Sequence, residues 1–276
     1  MVETTTAPRE TLSAMDLLEA YDEGRSIDRA KFLGLSDLAE AESLQKRCVE
    51  MRIVRGEQPV GMKIGFTNRN IWPMYNVSHP VWAPVFRETV VHSPTNEFDI
   101  RLKRVCEPRL EPEIILGFRE GLVPASSSMD DVFAALEWVA HGFEIVQSPF
   151  PHWKFTAAEA CAAQGLHSQL LIGSKLNIAG LTRNAVAFNQ WLAALKVTLR
   201  CNDQAVATGR GSNVLDSPLL ALCHLLSELI KRGQKLLPGA IVTTGTMTDA
   251  MPIAAGEIWE TQFEQQSLPS LHLRLS

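Results

Sequence analysis

No run of apolar residues in this 276-residue chain approaches the ~20 that a membrane span requires; Leu219-Leu220-Ala221-Leu222 and Ile114-Ile115-Leu116 are among the longest. No membrane partner is expected. Cysteine is sparse: Cys48, Cys106, Cys161, Cys201 and Cys223 are odd in number, widely spaced and free of a CxxC pair. That pattern indicates neither a disulfide framework nor a thiolate zinc site, so all five read as small buried hydrophobes. An excess of basic residues is missing as well. With 26 Lys and Arg against 31 Asp and Glu, the net charge is −5, and nucleic acid is not a partner. Nor is there a Gly-rich phosphate loop, a GxSxG elbow or HExxH, which leaves nucleotide, serine-hydrolase and zincin chemistry without support. The opening stretch MVETTTAPRETLSAMD has no apolar segment, so neither a secretory nor an Arg-rich transit signal is read there, and a cytoplasmic location is expected.

What the chain does have is enough apolar residue, 46% against 21% charged, to bury a sizeable core. Its first sixty residues carry helical spacing. Leu12, Met15 and Leu18 form one run; Leu38, Ala41, Leu44, Cys48 and Met51 form a second, opening at Ser36 and stopping at Gly56. After Pro59 the texture changes to short β-rich runs bounded by Gly, Pro, Asn or Asp: 60–66, 109–118, 142–146, 168–172, 196–201, 205–208, 240–244 and 258–263. Asn202-Asp203 fits a hairpin turn between two of them. A helical N-terminal region over 1–59 and a mixed β body over 60–276 follow.

Two helices interrupt the β body. One opens at Ser128 with Asp131 at capping-box spacing and carries Val132, Ala135, Leu136 and Val139 on one face. The other has Ser217 as N-cap, Pro218 at its first position, Lys231 and Arg232 in its last turn and Gly233 just beyond. Strands outnumber helices without alternating with them, so the expected class is α+β with a β-roll or sandwich core.

Chemistry concentrates in Cys106-Glu-Pro-Arg-Leu-Glu-Pro-Glu-Ile-Ile-Leu-Gly117. In an extended chain Glu111 and Glu113 share a face. Two carboxylates there repel unless a positive group lies between them, and a hard divalent cation is the natural occupant; the plainer alternative is a solvated strand face. Glu144, in His141-Gly-Phe-Glu-Ile-Val146, is an ionisable group in an apolar strand and needs a cation or an edge position. Lys63, in Gly61-Met-Lys-Ile-Gly-Phe-Thr67, poses the same question with the opposite sign.

Five segments, Val60-Gly-Met-Lys-Ile-Gly-Phe-Thr-Asn68, Leu110-Glu-Pro-Glu-Ile-Ile114, Phe143-Glu-Ile-Val146, Gly211-Ser-Asn-Val-Leu-Asp-Ser-Pro218 and Leu237-Pro-Gly-Ala-Ile-Val-Thr-Thr-Gly-Thr246, occur in fixed order. Together they resemble the 2-keto-4-pentenoate hydratase/4-oxalocrotonate decarboxylase family of the fumarylacetoacetate hydrolase-like superfamily. The resemblance spans nearly the whole chain. It implies a mixed β-roll fold with a helical N-terminal extension, a Mg²⁺ or Mn²⁺ site, and 2-oxo or 2-hydroxydienoic acid substrates in a homo-oligomer. Residue by residue, it makes Glu111, Glu113 and Glu144 the metal ligands and Lys63 a catalytic group. It places Thr244 and Thr246 at the substrate carboxylate.

The chain also departs from the family. It reads Ser78-His79-Pro80-Val81 where acidic residues are common after K-I-G, Gln147-Ser148-Pro149 where Asp-Ser-Arg is usual, and Ala162-Ala163-Gln164 where Ala-Asp-Asn is common. Acid/base positions have changed while the metal platform is kept. His79, His152 and His167 lie near these positions, and His167 is taken as the catalytic replacement because imidazole titrates near neutrality. The activity implied is addition of water to a 2-hydroxy-2,4-dienoate, giving a 4-hydroxy-2-oxo acid in aromatic catabolism. Alternatives are decarboxylation of a 2-oxo-enedioate, C–C hydrolysis of an acylpyruvate, and a non-catalytic paralogue. The hydrolase reading is weakened because its N-terminal His-x-x-Glu pair has no counterpart: no histidine precedes His79.

Overall fold

The computed structural model describes residues 10–75, 77, 79–264 and 268–276; Ser78 and the first nine residues of the opening stretch lie outside these. A nine-stranded sheet forms the body. Its path runs Val81–Phe86, Pro59–Gly65, Ile241–Thr246, Arg109–Phe118, Leu136–Val146, His167–Ile172 and Val90–His92, with two short strands, Met251–Pro252 and Leu176–Asn177, paired to its central members. Pro59–Gly65 runs parallel to Ile241–Thr246, as does Val90–His92 to His167–Ile172, and the other pairings are antiparallel. A second sheet orders Gln204–Arg210, Lys196–Cys201, Ile258–Phe263, His272–Leu275 and Glu97–Ile100. The architecture is α+β, as the strand-rich sequence implied.

The two sheets face each other through Leu110, Phe143 and Ile145 on one side and Leu199, Trp259 and Leu273 on the other. On the same face of the large sheet, further along its strands, lies the helix Pro218–Lys231, started by Ser217, whose hydroxyl accepts from the Leu219 N–H. Leu219, Leu222, Leu225 and Leu226 pack there against Leu116 and Val242. Each such leucine contributes roughly 1.5–3 kcal/mol by burial. The stretch Gly211–Lys231 is long and apolar enough to cross a membrane by length and composition, but its apolar face is spent on this core. The N-terminal helices Ala14–Glu23 and Leu38–Val54 share a separate core with the helix Ala157–Ala162, Val81, Phe150 and Leu166.

Several local expectations need correction. The second N-terminal helix is capped by Asp37, whose side chain accepts from the Ala39 N–H, and not by Ser36. Met15 is exposed, while Leu17 and Ala20 join Leu18 in the core. The helix after Ser128 stops at Ala135, and Leu136 and Val139 belong to the following strand, which is buried on both faces, so its apolar residues prolong a helical spacing without any helix to carry it. Asp131 accepts from the Ser126 hydroxyl and does not close a capping box. Val81–Phe86 went unread because it contains Pro84, which the edge of the sheet tolerates. The Asn202-Asp203 turn stands as expected, with φ of 46° and 65°.

Candidate active site

At the centre of the large sheet, Glu111 lies directly opposite Glu144 on the neighbouring antiparallel strand, and Glu113 projects from the same face two residues on. Like charges placed so are destabilising by themselves. One oxygen from each of the three carboxylates lies within 4.8 Å of the others. Buried Lys63 reaches in from the Pro59–Gly65 strand: its Nζ is 3.0 Å from Glu144 Oε2 and donates to the Gly165 carbonyl at 2.9 Å. Lys63, Glu111 and Glu113 line a cavity of about 440 Å³ with aromatic walls from Phe66, Trp153 and Phe155.

A β-bulge shapes the side of this cluster. Thr243 pairs with Ile115 but Thr246 pairs with Glu113, so three steps on one strand meet two on the other and one residue is extra at Thr244-Gly245. Gly245 has φ +104°, and a Cβ there would sit 2.0 Å from Thr67 Oγ1, so only glycine fits. The bulge aims the Gly245 N–H at Glu113 Oε2 (2.9 Å), and the Thr243 hydroxyl donates to the same oxygen. Glu113 Oε1 is buried with no hydrogen-bond partner among the described residues. Three carboxylates against one lysine leave negative charge uncompensated, and an all-oxygen set with an orphaned oxygen fits a hard divalent cation.

The ionisation pattern follows from burial and the neighbouring charges. Burial alone would raise Glu144, but the Lys63 ammonium and the His167 hydrogen bond outweigh it and hold the carboxyl down at about 2. Burial pushes Glu111 up to about 7; Lys63 opposes this and Glu144 adds to it. Glu113 is raised well above the usual range by burial and by its two carboxylate neighbours. Burial works against the Lys63 charge, yet Glu144, Glu111 and Glu113 together raise it.

The histidines separate. His167 is buried behind Glu144, with Nδ1 2.7 Å from Glu144 Oε1 and Nε2 2.8 Å from Thr89 Oγ1; it is absent from the described cavity wall, contrary to a role in direct contact with substrate. His79 borders a different cavity, beside the helix Leu38–Val54. His152 is exposed in a turn whose N–H is tied to Glu107. Thr246 lines the active cavity, but Thr244 is fully buried and its hydroxyl donates to the Ile114 carbonyl at 2.9 Å. Strict alternation would keep Thr244 and Thr246 on one face; the bulge separates them and brings Thr243 to Glu113 instead. Sequence reasoning also passed over Arg109, which the same i, i+2, i+4 alternation sets on the cavity face with Glu111 and Glu113. Arg52 was a further omission. It is buried, donates to Gln164 Oε1 at 3.0 Å and pairs with Glu57 at 2.6 Å.

No family model matches the chain. It is 26% identical over 226 residues to a 2-hydroxyhexa-2,4-dienoate hydratase of Comamonas testosteroni, with 82% of each chain covered. Over 235 residues it is 28% identical to a 4-oxalocrotonate decarboxylase of a Pseudomonas species, with 84% of each covered. Among solved structures, the 4-oxalocrotonate decarboxylase from Pseudomonas putida G7, complexed with magnesium and adipate, matches at TM-score 0.82 and 22% identity over 95% of each chain. The fold is that of the fumarylacetoacetate hydrolase-like proteins. In sequence the chain is similar to 2-keto-4-pentenoate hydratases and 4-oxalocrotonate decarboxylases, the resemblance its five motifs carried.

Proposed function

We propose that this protein is a divalent-metal-dependent hydro-lyase that adds water to a 2-hydroxy-2,4-dienoate, giving a 4-hydroxy-2-oxo acid in the breakdown of aromatic compounds. The observation that carries this reading is the convergence of Glu111, Glu113, Glu144 and Lys63 on one aromatic-walled cavity. Hydratase names among the relatives support it, and the decarboxylase alternative is not better supported. Held by the three glutamates, a Mg²⁺ or Mn²⁺ ion would supply Lewis-acid polarisation of the substrate's 2-oxygen. Among the described residues the ligand set is three carboxylates, with no thiolate or imidazole ligand to favour zinc.

The protein's own groups do the rest. Ketonisation moves the proton of the 2-hydroxyl to C5 and leaves a C3–C4 double bond conjugated to the 2-oxo group. Water then adds across that bond, oxygen to C4 and proton to C3. Lys63, charged and facing the cavity, is the group placed to carry those protons. Phe66, Trp153 and Phe155 hold the flat diene and exclude bulk water, and Thr246 offers a polar contact on the wall. His167 acts through Glu144, fixing its orientation, so it is a positioning residue. All of these groups lie within 60–276, which makes that segment the catalytic unit of the reading.

The test is turnover of 2-hydroxypenta-2,4-dienoate by purified protein with Mg²⁺ or Mn²⁺, following dienoate absorbance and product mass. Loss of absorbance with gain of one water supports the hydratase. Release of CO₂ from a 2-oxo-enedioate without hydration of the dienoate would replace it with the decarboxylase, and metal binding without any turnover would leave a non-catalytic paralogue.

A further inference from the structure

The two oxygens of Glu113 are in opposite situations. Oε2 accepts two hydrogen bonds, one from the Thr243 hydroxyl and one from the Gly245 N–H at 2.9 Å, whereas Oε1 is buried with no partner among the described residues. A carboxylate oxygen has about two lone-pair sites, so Oε2 is filled and Oε1 has both of its own free. The asymmetry is fixed by the sheet. Thr243 is fully buried, opposite Lys63 on one side and Ile115 on the other, and the bulge that follows it turns the Gly245 N–H to the same oxygen. Glu144 is divided too: its Oε1 lies 2.7 Å from His167 Nδ1 and its Oε2 3.0 Å from Lys63 Nζ.

How many oxygens a carboxylate can offer decides which hard cation it suits. Ca²⁺ takes about six to eight oxygens in flexible geometry and often draws both from one carboxylate, while Mg²⁺ is smaller, demands near-ideal octahedral positions and keeps several waters. We propose that Thr243, together with the Gly245 N–H, makes Glu113 a one-oxygen ligand and so biases the three-glutamate centre against Ca²⁺ and towards a smaller octahedral ion such as Mg²⁺. This rests on the divalent-metal reading given above and concerns the choice of ion, not of substrate. Thr243 acts through Glu113, by occupying Oε2, so it is a positioning residue. Loss of its hydroxyl opens one site on that oxygen beside the free Oε1, which lets Glu113 offer both oxygens to a larger ion. The Gly245 N–H stays in place, since no side-chain substitution at Thr243 removes it.

Affinities for Mg²⁺ and for Ca²⁺ are measured by isothermal titration, at one pH, on wild type, Thr243→Val, Thr243→Ala and Thr243→Ser. Taking a donor away from Glu113 makes it hold its proton more tightly, which weakens both ions alike, so the ratio of the two affinities cancels that loss. Thr243→Val keeps the branched shape and should move the ratio towards Ca²⁺ by about 10-fold, the lower end of what an outer partner of a metal ligand is worth. Thr243→Ala should move it the same way, which keeps the test available if the valine variant folds poorly. Thr243→Ser retains the hydroxyl and should stay near wild type. A ratio unchanged in the valine and alanine variants, even where both affinities fall, overturns the proposal, and so does a serine variant that shifts as far as valine. Failure of wild type to bind either ion instead removes the divalent-metal reading, and the inference with it.

Discussion

Glu111 and Glu144 are cross-strand partners at the centre of the large sheet, two carboxylates face to face, with Lys63 on one oxygen of Glu144 and His167 on the other. Neither strand can slip to relieve the repulsion, since a one-residue shift would turn every core residue of Arg109–Phe118 to the wrong face. The repulsion is thus built into the register. Lys63 and His167 relieve it at Glu144, whose carboxyl they hold down at about 2 against its burial, while burial and the carboxylate neighbours make Glu111 and Glu113 hold protons more tightly than an ordinary glutamate does.

A cation entering this site must displace those protons. Burial pushes Glu111 up to about 7 and raises Glu113 well above the usual carboxylate range, so Mg²⁺ or Mn²⁺ affinity should fall as the pH drops below 7 and rise above it. Titration calorimetry in two buffers of different ionisation enthalpy should show proton release on binding. Glu113→Gln, which keeps the shape and loses the charge, should weaken binding by about tenfold or more. Unchanged affinity in that variant would place the cation elsewhere.

His167→Ala removes the donor to Glu144 Oε1 without touching the cavity wall. Loss of an orienting partner of this kind costs about 10–100-fold in metal affinity. A variant with full metal affinity but an altered pH–rate profile would instead make His167 a proton carrier.

His141 is a stability switch unrelated to turnover. Its Nδ1–H donates to the Glu113 carbonyl at 3.0 Å and its Nε2 accepts from Thr261, so the folded state wants it neutral. Burial pushes it down to about 4, against ~6.5 in an unfolded chain. Between those values only the unfolded state takes up the proton. The contribution is therefore complete above pH 6.5 and is lost as the pH falls towards 4, amounting to about 3 kcal/mol at most. Urea unfolding of wild type and His141→Gln at pH 7.5 and 5 checks this, and equal pH slopes for the two would refute it.

Arg52 ties the N-terminal helices to Lys63. Through Gln164 it braces three consecutive left-handed residues, Gln164, Gly165 and Leu166, whose middle carbonyl accepts from Lys63. Its charge is stacked between Tyr21 and Phe86, with Glu57 as its acidic partner. Arg52→Met should cost about 3 kcal/mol by leaving buried Gln164 unmatched and Glu57 with Arg55 alone, and should lower kcat more than it raises KM. Denaturant unfolding and steady-state kinetics on the same variant check both parts.

How far the sequence could be read depended on how local the determinants were. Glu111 and Glu113 were legible because alternation along one strand is a local rule, and Glu144 because an ionisable residue among Phe143, Ile145 and Val146 needs a partner. The helix Pro218–Lys231 was legible from its own caps. The Thr244-Gly245 bulge was not, since it exists only where the strand meets Glu113 from another part of the chain. The same holds for Arg52, whose role depends on Gln164, 112 residues away. Arg109 was readable in principle from the alternation that paired the glutamates.

The central claim, that Lys63 carries the proton in a site whose cation is held by Glu111, Glu113 and Glu144, is tested most directly by the turnover rate of Lys63→Met on samples of verified Mg²⁺ content. Lys63 is no ligand, so the variant should remain loaded while its hydration rate falls by at least about 10²-fold, the usual cost of removing a general acid. A loaded Lys63→Met protein that hydrates the dienoate at close to the wild-type rate would contradict the account.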